Sequence, residues 1–133
     1  MKKLVHKFIE IEQKISNEKG NLSLFALFLR EDSLDKWDLL IAAPWIEANR
    51  KTAFAYIAQQ IQASLEPEEL AQLSRIVLID QANPALDAIN NAVRIEHGVT
   101  EIQDSNFFGL QIKHALIITS QKSSADLVPS PAS

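Results

Sequence analysis

A change of hydrophobic period within one stretch, Trp37 to Leu65, constrains this chain more than any other feature. Trp37-Asp38-Leu39-Leu40-Ile41-Ala42-Ala43 is a compact, mostly apolar run that stops at Pro44. Apolar positions then recur at Ala53, Phe54, Ile57, Ile61 and Leu65. The first pattern is strand spacing and the second is helix spacing. A strand followed directly by a helix predicts an α/β (or α+β) fold, with the remaining elements packed around that unit.

The flanking sequence fills in the order. Leu4, Phe8, Ile11 and Ile15, broadened by Val5 and Ile9, predict an amphipathic helix over 3–17. Gly20-Asn21 ends it, and Leu22 to Arg30 follows as a strand whose centre, around Leu27, is apolar on both faces, as in a central strand. The short charged turn Glu31 to Lys36 admits no crossover helix, so the first two strands are expected to form an antiparallel hairpin. A helix from about Ala48 to Leu65, capped by Asn49 or beginning nearer Trp45, precedes a short helix from Glu66-Pro67 to about Ser74. Arg75-Ile76-Val77-Leu78-Ile79-Asp80 has the look of a buried parallel strand, and Asn83-Pro84 of a helix start. Strands over 99–103 and 110–119, joined by a turn at 104–109, complete a second hairpin. In the last strand, strict alternation predicts Leu110, Ile112, His114, Leu116 and Ile118 on one face. The expected architecture is a mixed sheet of about five strands with helices packed on it, in the order α-β-β-α-α-β-α-β-β. Residues 1–119 are expected to form a single globular domain, and the Ser-, Ala- and Pro-rich residues 120–133 a flexible tail.

Composition narrows the function classes. The absence of cysteine excludes a disulfide framework and thiolate metal sites. His6, Lys7, Glu10 and Glu12 interrupt any apolar run after Lys2 and Lys3, so no export signal is read and a cytoplasmic protein is expected. No apolar run is long enough to span a bilayer, so no membrane partner is expected. A net charge of −4 makes nucleic acid an unlikely partner through the overall field.

Candidate sites follow from topology and residue type. If the second and third strands are parallel, their carboxyl ends share an edge, where open α/β sheets commonly bind ligands; this brings Trp45, Asp80 and Asn83 forward as ligand-binding candidates. The glycine-rich loop that dinucleotide or P-loop chemistry needs is absent, and Asp80 and Asn83 equally suit a strand end and a helix cap. His6, His97 and His114 match no zinc spacing, so no metal and no cofactor is expected. Asp104 lies just before Gln111-Ile112-Lys113, in which Gln111 and Lys113 share one face of a strand. This hairpin resembles the PD-(D/E)XK nucleases. The resemblance implies a catalytic trio of Asp104, Gln111 and Lys113, with Glu101 and Asp104 as metal ligands, and metal-activated water as the nucleophile. The preferred expectation is instead a non-catalytic interaction or regulatory domain that self-associates as a homodimer. Phe107 and Phe108 on the protruding hairpin are the interface candidates, and the first helix is an additional contact surface.

Overall fold

The computed structural model describes residues 2–32 and 36–121. Along them run α1 (Lys2–Lys19), β1 (Leu24–Arg30), β2 (Trp37–Ala42), α2 (Pro44–Ala48), α3 (Arg50–Ser64), α4 (Pro67–Leu70), β3 (Leu73–Leu78), α5 (Pro84–Ala92), β4 (Thr100–Phe107) and β5 (Leu110–Ser120). The five strands form one mixed sheet in the order β3-β2-β1-β5-β4. β2 and β3 are parallel, and every other neighbouring pair is antiparallel.

The unit at Trp37 to Leu65 forms as its periods require. Pro44 sits in the first turn of α2, where a missing N–H costs nothing, and α2 ends after five residues because Asn49 adopts extended backbone. The Asn49 side chain then accepts from Thr52 N at 3.1 Å and starts α3, so the same residue closes one helix and caps the next.

Strand alternation sorts the core into two layers. Phe25 and Leu27 of β1 and Leu39 and Ile41 of β2 point to the face covered by α1 and α3. Leu24, Ala26, Phe28, Leu40 and Ala42 point to the opposite face, where Leu86 and Ile89 of α5 pack. β1 lies at the middle of the sheet, as its two-sided apolar run predicted.

Three local expectations are corrected. Among the described residues β3 is an edge strand, with its start exposed, because β2 is its single neighbour there and the second hairpin joins the far side of β1. The turn of that hairpin is not 104–109. β4 continues to Phe107, and the loop is Phe108-Gly109, with φ of 54° and 73°. Two consecutive left-handed residues match the two-residue turn whose twist suits a hairpin. Phe108 pays for that conformation with about 1–2 kcal/mol of backbone strain, offset by a ring contact with Phe28 at 6.3 Å between centroids. Finally, β5 does not alternate strictly, since its pairing with β1 slips between Leu29 and Arg30 and again between Phe25 and Ala26. These irregularities put Ile112, Ala115 and Ile117 in the α5 layer and Leu116 and Ile118 in the α1 layer. The tail expected beyond Ser120 falls, from Lys122 onward, outside the described residues.

The contact of α3 with α1 gives a clean spectroscopic test. Tyr56, the chain's single tyrosine, donates its hydroxyl to Glu18 and stacks edge-on against Trp45. Burial first, and the Glu18 carboxylate second, push its phenol far above the ordinary range. An acid whose folded pKa is raised contributes stability that is complete below the unfolded pKa near 10 and is lost as pH rises beyond it. Phenolate absorbance of the native protein should therefore stay flat through the pH at which the urea-unfolded chain ionises. A native titration near pH 10 would contradict the packing of α3 on α1.

Candidate functional site

At the carboxyl edge of β2 and β3 the structure brings Asp80 and Asn83 together but separates Trp45 from them. Asn83 N donates to Asp80 O at 3.0 Å, and the Asn83 side chain accepts from Ala85 N at 2.9 Å as the cap of α5. Asp80 Oδ1 takes Arg50 Nη1 at 3.0 Å, while Arg50 Nη2 donates to Leu78 O at 2.9 Å. Trp45 turns toward the end of α1, where its Nε1 donates to Gly20 O at 3.2 Å. The left-handed backbone of Gly20 allows that approach, and a Cβ there would meet the indole ring at 3.5 Å.

The hairpin residues of the nuclease-like pattern do not form one cluster. Glu101 Oε2 lies against His114 Nε2 on the α1 face, and Gln111 Oε1 accepts from Asn106 Nδ2 at 3.5 Å. Asp104, with φ of 50°, sits at the step where pairing is interrupted between Gln103↔His114 and Ser105↔Ile112, and Lys113 lies at the same step on β5. Among the described residues no group of three or more His, Asp or Glu side chains is placed to hold a metal ion. Phe107 and Phe108 both lean on Phe28, at 5.4 and 6.3 Å between ring centroids, and both remain partly exposed.

Two buried carboxylates escaped the sequence reading. Glu12 of α1 is 0% exposed. Its Oε2 accepts from Thr119 Oγ1 at 2.8 Å, and its Oε1 lies 2.5 Å from His97 Nδ1. His97 has φ of 57°, and its N–H donates to the same Thr119 hydroxyl at 3.2 Å. The cluster thereby fastens α1 to the lead-in of β4 and the end of β5. Its sequence signal was the position of Glu12, four residues after Phe8 and so on the buried stripe of α1. The second carboxylate, Asp38 of β2, points to the α5 face, where Oδ2 lies 2.7 Å from Arg30 Nε and 3.2 Å from Arg75 Nε. Cations from the strands on either side thus compensate one buried charge, which isolated burial would make costly. A charged residue in an otherwise apolar strand was its signal.

A concavity of about 620 Å³ lies on the α1 face, between α1 and the β4–β5 hairpin. Val5 and Ile9 form its helical wall, Leu116 and Trp37 its floor, and Val99, 44% exposed, its outer rim. Polar groups enter at three points, His6 from α1, Glu101 from β4 and His114 from β5. His114 is held edge-on against Trp37, with ring centroids 5.8 Å apart.

Comparison with known proteins finds no matching family model, no matching curated protein and no matching solved structure. No helix among the described residues is long and apolar enough to cross a membrane.

Proposed function

We propose that this protein is a non-catalytic interaction or regulatory domain that self-associates. The observation that carries the proposal is the apolar surface where α3 meets the edge strand β3. Phe54 is 43% exposed there, over a groove lined by Ala58, Leu70, Leu73 and Ile76. Large exposed aromatics beside such a groove are effective anchors for a partner that covers them, and a symmetric pair of copies needs only this one surface. Arg50 already occupies the Leu78 carbonyl at one end of β3. Side-chain contact, rather than extension of the sheet, is thus the expected mode. The non-catalytic part of the proposal is supported by the work that the strand-end polar groups already do, with Asn83 capping α5 and Asp80 bound to Arg50.

Sedimentation over a range of concentrations tests the proposal directly. A dimer is expected that dissociates in Phe54→Asp and persists in Phe107→Ser and Phe108→Ser, whose rings rest on Phe28. Loss of the dimer in the latter two instead would move the interface to the hairpin. A monomer at every concentration removes self-association. Incubation with DNA and RNA in the presence of magnesium or manganese should give no turnover. Cleavage abolished by Lys113→Ala would replace this proposal with the metal-dependent nuclease reading.

A further inference from the structure

We infer that the groove between α1 and the β4–β5 hairpin is a binding site for a small organic cation, an amine carried on an apolar or aromatic body. At about 620 Å³ it lies within the range of roughly 300–1,000 Å³ usual for small-molecule sites. Its construction also fits that class, with predominantly apolar walls and three polar side chains, His6, Glu101 and His114.

The charge of the lining selects the ligand. Glu101 is the one side chain carrying a fixed charge among the described residues that line the groove. It is 53% exposed and stands at the rim rather than in the core. Its Oε2 lies against His114 Nε2, so the imidazole orients the carboxylate through one of its two oxygens. A carboxylate offers about four acceptor sites over two oxygens, which leaves Oε1 for the N–H groups of an ammonium ion. Trp37 and Leu116 supply the surface against which an aromatic or aliphatic body loses its water. An anionic ligand of the same shape would meet Glu101 with like charge. His6, facing from the helical wall, offers a further hydrogen bond to a polar substituent.

The test uses three probes of one shape and different charge, namely phenethylammonium, 2-phenylethanol and 3-phenylpropionate, added to the full chain. Binding is read from the methyl NMR signals of Val5, Ile9, Val99 and Leu116. Phenethylammonium should shift all four, and should bind more tightly than the alcohol, with the carboxylate weakest. Glu101→Gln should weaken the ammonium by roughly tenfold or more, the scale of one lost charge-assisted contact, and leave the alcohol unchanged. Val99→Phe, which fills the rim while keeping an apolar residue at an exposed position, should weaken all three. The inference is overturned by methyl signals that no probe moves, by equal or tighter binding of the carboxylate, or by a cation preference that survives Glu101→Gln. Shifts produced only by a lysine-containing peptide would mean that the cation is supplied by a macromolecule, and would overturn the small-molecule assignment. Because the readout is local to this groove, its failure leaves self-association through α3 and β3 untouched, and the converse holds as well.

Discussion

Replacing Leu27 by alanine should lower the unfolding free energy by about 2–5 kcal/mol, through lost burial and the cavity left behind. Leu27 is 0% exposed and lies opposite Leu39 on one side and Leu116 on the other, in the layer beneath α1 and α3. Strands on both sides hold the backbone in register, so the site has little freedom to collapse around the missing atoms. A loss of that size is a large part of the roughly 5–15 kcal/mol that stabilises an ordinary domain. Urea unfolding measures it, with the midpoint falling and the slope preserved. A midpoint close to that of the unmodified protein would place β1 at the periphery and contradict the sheet order.

A second large effect is expected at the Glu12 cluster. His97→Ala removes one of the two side chains that hold a carboxylate with no exposure of its own, leaving Thr119 alone against it. Losing a hydrogen-bond partner of a buried carboxylate costs about 1.5–3 kcal/mol. The lower end applies here, since the imidazole reaches the surface and water can enter in its place. The companion variant Glu12→Leu/His97→Ala should recover most of the loss, because an apolar residue of similar volume needs no partner in that position. If His97→Ala unfolds at the same urea concentration as the parent, the carboxylate is not held as the geometry indicates.

Much of the fold was legible because it depends on period. The two-sided apolar run of β1, the stripe of α1 and the caps at Asn49 and Asn83 are local patterns that the finished structure retains. What was illegible depends on partners far along the chain. The run Arg75 to Asp80 looks the same whether one neighbour or two will flank it, so its edge position could not be seen. The slips in β5 arise from pairing with β1, and no property of Leu110 to Ser120 alone announces them. Asp104-Ser105-Asn106 has turn composition, and this concealed a tighter turn at Phe108-Gly109 that needs two left-handed residues. Among the site residues, Asp80 and Asn83 were found together for the capping and strand-end roles their types suggest. In the sequence Glu101 stands out only through the nuclease resemblance, as a metal ligand, whereas its structural neighbour is His114. The groove itself joins α1 to β4 and β5 and so has no signature in any single segment.

The place of β1 in the sheet bears on the order in which the molecule can assemble. Its contact with β2 closes across a short turn, whereas its contact with β5 joins positions roughly 90 residues apart and carries a correspondingly larger loop-closure cost. As the chain emerges from the ribosome, α1 through β3 can meet before β5 exists. One side of the most apolar strand in the molecule then stays unpaired during that interval. An open edge of that kind is an aggregation hazard, and its lifetime is set by how soon the last strand arrives. Slowing synthesis across residues 80–120 should therefore raise the insoluble fraction more than the same delay placed before Leu24.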